Sequence, residues 1–429
     1  MAGKIFKTCR ISKYRSGDDI MHDLERLYKK TQTIMIFRSL LEDKAVNRLC
    51  LLIRNLCSAG ESQKMLSLDS QAETLSLYSE FVLSLYESGR GDLSDHILEL
   101  VLNDQNIYSR EASQKREVPA YLEKCLSEEL DTLSQLSLVS SDFLRQKSGY
   151  DGFLPEYSVT PHDFKELYLE RISQIHQKGF GKFALHSTFM LEGDTLIPVQ
   201  NPDVTSLSDL MGYRAQRKQV IENTKALLRG ISSANILLYG DAGTGKSATV
   251  KALANDLFDE GLRLIEIKKS QYSRIPRLID DLSTNPLKFI LFIDDLSFSR
   301  DDDDFSSLKA ILEGSVSSKS DNIVIYATSN RRHFVKESFS DRDGDDLHFS
   351  DTMEEISSLS DRFGLTITFS RPDKDEYLRI VSELAAKMQL DIAPEQLSVK
   401  AEAFAIRRSG RSPRVAKHFV ELMSSGVIS

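Results

Sequence analysis

The chain has 429 residues, 41% of them apolar and 28% charged, and carries a formal net charge of -9. A chain of this length implies two or three domains with a sizeable core, and this composition excludes fibrous and disordered classes. The acidic balance excludes a general attraction for nucleic acid or anionic membrane, leaving only local basic stretches to weigh.

No stretch approaches the ~18 consecutive apolar residues of a membrane span. The start, MAGKIFKTCRISKYRSGDDI, is basic but leads into no apolar run, so it does not read as a secretory signal. The expected location is therefore the cytoplasm, with no membrane insertion. Cys9, Cys50, Cys57 and Cys125 form no C-x-x-C pair and have no histidine cluster beside them, so a zinc site or disulfide framework is not expected. Cys50 and Cys57, seven apart, fall on one face of a helix as small buried hydrophobes.

Residues 1–155 read as an all-helical N-terminal domain. Leu, Ile, Phe and Val recur at three- and four-residue spacing in AVNRLCLLIRNL, SLYSEFVLSLYESG and LEKCLSEELDTLSQLSLVSSDFL. Tyr78, Tyr86 and Tyr121 lie in these helices, and core packing is favoured for them over a binding groove. Residues 156–205 are punctuated by Gly and Pro around one helix, PHDFKELYLERISQIHQKG, and read as a junction between domains. From 206 to 372 the apolar runs at 235–240, 262–267, 288–294, 322–328 and 365–370 alternate with helical patterns. Near-continuous apolar runs are what strands buried on both faces look like, which predicts an α/β domain with a five-stranded parallel sheet. Residues 373–429 hold helices alone: KDEYLRIVSELAAKM, PEQLSVKAEAFAIRR and SPRVAKHFVELMS.

The segment Gly240-Asp241-Ala242-Gly243-Thr244-Gly245-Lys246-Ser247 fits G-x-x-x-x-G-K-[ST], with a strand, ILLYG, before it and a helix, SATVKALANDLF, after it. The glycines let the chain curl so that successive N–H groups point at phosphate oxygens, and the helix N-terminus adds its dipole. Lys246 serves as a point charge for the β- and γ-phosphates, and Ser247 as a Mg²⁺ ligand. Ala248 is the next residue of the same site. The apolar strand FILFIDD ends in Asp294, placed to hold Mg²⁺, and Asp295, placed to polarise the attacking water. The pattern as a whole predicts ATP and Mg²⁺ as ligands.

Three later elements narrow the class: NIVIYATSN, ending in Asn330; LSDRFG, placing Arg362 before an apolar run; and SGRSPRVAKHF, placing Gly410, Arg411 and Arg414 at the last helix. In this order they resemble an AAA+ ATPase over residues 205–425. More narrowly, LMGYRAQRKQVIENTKALLRG, FILFIDDLSF, LKAILEG, IYATSNRRH, SLSDRFGLTITF and GRSPRVAKHFV resemble a bacterial AAA+ family called domain of unknown function 815. The resemblance implies a P-loop AAA+ core with a small helical C-terminal lid. It implies that Asn330 helps orient the attacking water, and that Arg362 is an arginine finger reaching a neighbouring subunit's γ-phosphate, with Arg331 and Arg332 as alternatives. It further implies that Arg414 links the lid to the phosphates, and that Leu210 to Tyr213, including Gly212, flank adenine. Many AAA+ proteins have Glu where this chain has Asp295, one methylene shorter; the family resembled here also tends to have Asp.

Three functions compete on this reading. The first is an ATPase, assembled as a homo-oligomeric ring such as a hexamer, that remodels a protein partner bound through the N-terminal helices. The second is a P-loop small-molecule kinase, against which the GRSPR and SDRFG elements argue. The third is a slow ATP-binding regulatory switch or scaffold. In KKSQYSRIPRLIDDL, Tyr272 is the one aromatic of a substrate-gripping loop, but Ser273 and Arg274 do not continue that pattern. Lys268, Lys269, Arg274 and Arg277 form a basic cluster that could touch nucleic acid, with a solvated face favoured. The acidic run Asp301 to Asp304 lacks the ligand spacing of a Ca²⁺ loop and reads as solvated, as does the acidic stretch 338–351.

Overall fold

The computed structural model describes residues 17–61, 68–114, 117–296, 308–309, 311–312, 320–330, 362–408 and 410–428. The chain divides into two compact units, Met1–Ile175 and His176–Ser429.

The described part of the first unit is built of helices: Gly17–Gln32, Lys44–Glu61, Leu68–Glu87, Leu93–Asn103, Ile107–Ser113, Ala120–Ser137, Ser141–Ser148 and Phe164–Ser173. Their apolar faces meet in one core that includes Phe37, Leu49, Phe81, Leu85, Ile97 and Leu133. Local polar chemistry fixes the ends. The Asp92 carboxylate accepts the N–H groups of Ser94 and Asp95, capping Leu93–Asn103. The buried Glu129 carboxylate accepts the N–H groups of Met35, Ile36 and Phe37 at 2.9–3.1 Å, satisfying a turn that would otherwise bury bare donors. Cys50 and Cys57 pack against this core, and burial pushes the Cys50 thiol up to about 11. Tyr78 is buried, with its hydroxyl donating to the Pro155 carbonyl at 2.6 Å. Tyr86 and Tyr121 are 47% and 69% exposed, so core packing does not extend to them. Tyr121 stands next to the buried series Leu122, Leu126, Leu130 and Leu133 and falls off that face.

The second unit holds a seven-stranded mixed sheet, not the five-stranded parallel one the apolar runs predict. Its strands are β1 (Thr188–Glu192), β2 (Thr195–Pro198), β3 (Ile236–Gly240), β4 (Leu262–Glu266), β5 (Lys288–Ile293), β6 (Ile323–Asn330) and β7 (Leu365–Phe369), in the order β2-β1-β4-β5-β6-β3-β7. The five expected strands are all present and parallel to their neighbours. The two further strands come from the stretch expected as a junction. β1 runs parallel to β4 and turns through Gly193 into antiparallel β2, making an edge hairpin. Four- and five-residue strands around a Gly-Asp turn carry too little apolar sequence to stand out from a loop. The stretch 156–205 is thus divided, with helix Phe164–Ser173 in the first unit and the hairpin in the second.

Alternate residues of the central strands supply two cores. Leu237, Ile265, Leu291 and Ile325 face one layer, while Ile236, Leu238, Leu264, Phe292 and Tyr326 face the other. Burial on both faces explains why the runs of β3 to β6 show no alternation, whereas β7, at the sheet edge, alternates buried Ile367 and Phe369 with exposed Thr366 and Thr368. The last three helices, Lys374–Lys387, Pro394–Arg407 and Pro413–Ser424, bury Tyr377, Ile380, Ala401, Phe419 and Val420 in a core of their own. Asp373 and Ser412 cap two of them by accepting the N–H groups of Glu376 and Val415.

Candidate functional site

The site forms at the carboxyl ends of β3, β5 and β6, where open α/β sheets hold their ligands. β3 ends at Gly240, which lies opposite Asn330 of β6 on one side and Phe369 of β7 on the other. A side chain at 240 would meet the Phe369 carbonyl oxygen at 2.2 Å, so only glycine lets β3 leave the sheet here. The loop is then pinned from both ends. Asp241 donates its N–H to the Phe369 carbonyl at 3.1 Å, and its carboxylate accepts the Arg371 N–H at 3.0 Å. Thr244 donates its hydroxyl to the Asp241 carbonyl at 2.9 Å. Gly243 and Gly245 take φ of 78° and 92°, and helix Lys246–Asp256 begins directly after them with no side-chain cap. A curled loop feeding an uncapped helix N-terminus presents main-chain donors to an anion.

Lys246 is buried beneath this loop, and its three donors are all engaged. They reach the carbonyls of Gly240 at 2.9 Å and Asp241 at 2.8 Å, and Asn330 Oδ1 at 3.0 Å. Burial holds the ammonium below the ordinary lysine value and nearby Arg414 adds to that; Asp241, Asp295 and Asp294 pull the other way. The other amide atom of Asn330, Nδ2, donates to Asp295 Oδ1 at 2.8 Å. Asp294 Oδ1 accepts the hydroxyls of Ser247 at 2.6 Å and Thr328 at 2.7 Å. The Ser247 hydroxyl beside the Asp294 carboxylate is the sparse, hard oxygen donor set that suits Mg²⁺, which keeps water and phosphate oxygens as its remaining ligands. Among the described residues, no group of three His, Cys, Asp or Glu could hold a metal ion.

A cavity of about 530 Å³ joins these groups. It is lined by Ala242 to Ala248, Asp294, Asp295, Thr328 and Asn330 on the sheet side, and by Ile380, Leu384, Pro413 and Arg414 on the helical side. Arg414 donates its N–H to the Gly243 carbonyl at 3.2 Å, tying the last helix to the loop. Leu210 and Met211 also line the cavity. Gly212 and Tyr213 do not: Gly212 packs on Ile380, and the Tyr213 hydroxyl donates to the Ser370 carbonyl at 2.6 Å. Gly240 and Asp241 likewise shape the loop from behind and are not part of the lining. Arg362 lies elsewhere, in a second cavity of about 600 Å³ with Asn235, Ile323 and Gly364 at the opposite ends of the strands. Arg331, Arg332, Asp301 to Asp304 and the stretch 338–351 fall outside the described residues. Arg411 turns away into a two-pronged pair with Glu402 at 2.8 and 2.9 Å.

Several lining residues are not evident in the motifs. Lys417 stands three positions after Arg414 on one helix, a spacing that puts both on one face. Thr328 shares a strand face with Asn330, two residues on. Asp203, Thr205, Asp209 and Arg217 carry no sequence signal. Away from the cavity, Tyr272 is buried in the sheet core, and Arg274 and Arg277 each lie 3.4 Å from Asp194 at the hairpin turn. The segment therefore presents no aromatic grip, and two of its four cations face an acid.

Inserting β6, with its terminal Asn330, between the phosphate-loop strand and the acid-bearing strand, and closing the cavity with a helical lid, is the AAA+ form of the P-loop fold. Residues 183–427 match the family described as "Protein of unknown function (DUF815)", and the chain belongs to that family. No curated protein matches it. Among solved structures it is similar to the Thermotoga maritima RuvB Holliday junction branch migration motor, at 16% identity and TM-score 0.34, covering 51% of this chain and 64% of that one. It is also similar to the FIGL-1 AAA domain in complex with ADP, at 16% identity and TM-score 0.35, covering 53% and 74%. The chain thus spans less than two thirds of the RuvB chain's length.

Proposed function

We propose that the protein binds and hydrolyses ATP with Mg²⁺, and that a homo-oligomer uses the cycle to remodel or regulate a macromolecular partner. The observation that carries this reading is the hydrogen-bonded chain Lys246–Asn330–Asp295, with Ser247–Asp294 beside it, in one cavity under the phosphate loop. In the proposed cycle the Lys246 ammonium exchanges its loop carbonyls for phosphate oxygens. Turning the same ammonium away from Asn330 Oδ1 as well frees Asn330 to orient water while Asp295 accepts its proton. Ser247 and Asp294 would hold Mg²⁺, whose chemistry when bound is to neutralise charge on the phosphates. Arg414 and Lys417 bring positive charge from the lid, and Leu210, Met211, Ile380 and Leu384 offer an apolar wall for the base.

Arg362 is absent from the lining of the phosphate-loop cavity, so a role for it at the phosphates requires a neighbouring copy. Such a role would distinguish assembly from the alternative of a small-molecule kinase, which needs an acceptor and no neighbour. A slow ATP-binding switch shares the site and differs in turnover alone. Steady-state ATP turnover measured against protein concentration separates the three. Turnover per chain that rises with concentration is expected. A requirement for a phosphate acceptor would point to the kinase, and tight binding with negligible turnover at every concentration would point to the switch.

A further inference from the structure

We propose that Thr328 is the positioning residue of the acid pair, setting Asp294 and Asp295 together from the neighbouring strand. The inference rests on the reading of those two acids given above and adds the group that holds them. Thr328 is 2% exposed, lines the cavity and sits on β6, whose Ala327 pairs with Ile293 of β5. Its hydroxyl donates to Asp294 Oδ1 at 2.7 Å and accepts the Asp295 N–H at 2.9 Å. A hydroxyl is the smallest side-chain group able to give one hydrogen bond and take another at one atom. The stitching continues on either side. Leu296 donates its N–H to the Thr328 carbonyl at 2.7 Å, and Ser329 donates its hydroxyl to the Leu296 carbonyl at 2.8 Å.

Four hydrogen bonds thus bind the turn 294–296 to two residues of β6, and the turn is one that needs binding. Asp295 has φ of 55°, a left-handed conformation that non-glycine residues rarely hold. Thr328 fixes this backbone and, through the same oxygen, the rotation of the Asp294 carboxylate toward Ser247. The three donors of Lys246 and the loop amides do not involve it. Its removal should therefore impair the response to metal and the chemistry while sparing the grip on phosphate.

The test is calorimetry of ATP binding to the full chain, first with metal chelated and then across a Mg²⁺ titration, for the parent, Thr328→Val and Thr328→Ser, with turnover measured alongside. Thr328→Val should keep the parent's metal-free affinity while its Mg²⁺ half-saturation rises roughly 10–100-fold and turnover falls in step, as for other groups that orient metal ligands. Thr328→Ser retains the hydroxyl and should follow the parent. Thr328→Ala repeats the test if the valine variant does not fold. A valine or alanine variant that matches the parent's Mg²⁺ response, or that loses metal-free affinity as well, overturns the assignment. A parent that binds ATP but ignores Mg²⁺ overturns the metal role of Ser247 and Asp294, and with it this assignment; a parent that binds no ATP overturns the nucleotide reading itself, a separate result.

Discussion

Asp295 is held by its backbone as much as by its side chain. Asp adopts the left-handed region more readily than longer residues, because its short polar chain bonds locally. Here the Asn330 amide reaches its carboxylate at 2.8 Å. Asp295→Glu would restore the acid found in many AAA+ proteins, yet it lengthens the side chain in a turn built for Asp. A misplacement of about 1 Å at a reacting group costs up to about 100-fold. We therefore expect Asp295→Glu to bind ATP like the parent and turn it over more slowly, read by steady-state hydrolysis. A faster variant would contradict the geometry. Lys246 gives a pH prediction. Its depressed value means the folded site sheds that proton earlier than the unfolded chain, so stability rises with pH between the depressed value and the ordinary one. Phosphate favours the charged form, so ATP affinity should fall as pH climbs through the depressed value. Lys246→Arg, always charged, should show no such fall over the same range in calorimetry. Lys246, Ser247, Asp294 and Asp295 are legible in the sequence because the motif fixes them locally. Thr328 and Arg217 are not, because their places in the cavity lining depend on which strands and loops become neighbours.

At the scale of elements, the apolar runs betray β3 to β6 since both faces are buried, and β7 by its alternation, while the hairpin β1–β2 is too short to stand out. Beside the β1–β4 ladder, the segment leading into the hairpin is tied to β4 by a buried cation that no motif announces. Arg263, on β4, is fully buried and donates to the carbonyls of Phe183 at 2.6 Å, Phe258 at 2.8 Å and Leu262 at 2.7 Å, with its guanidinium 3.9 Å from the centre of the Phe258 ring. One hydrogen bond to a charged group contributes about 1.5–3 kcal/mol. Arg263→Leu should lower stability by at least that amount, seen as an earlier urea midpoint, and Arg263→Lys should recover only part, since one ammonium cannot span the fork. An unchanged midpoint in the leucine variant would show that these carbonyls need no charged donor. The N-terminal helices are legible as helices, but Tyr86 and Tyr121 are not legible as exposed residues, because the face a helix buries depends on partners that periodicity alone does not name.

At the scale of the whole molecule, the proposal requires one copy to complete another's site. If Arg362 acts on a neighbour, Arg362→Ala should bind ATP normally and lose the rise of turnover with concentration. Mixing it with Lys246→Ala should restore part of the activity, since each variant supplies what the other lacks. A mixture no more active than its components would remove Arg362 from the chemistry at the phosphates. All of this depends on the phosphate loop gripping a triphosphate. The most direct measurement is calorimetric titration of the purified, folded chain with ATP and Mg²⁺, beside its Lys246→Ala variant. The account predicts binding by the parent and a large loss in the variant; a parent that takes up no nucleotide, or a variant that binds equally well, would contradict it.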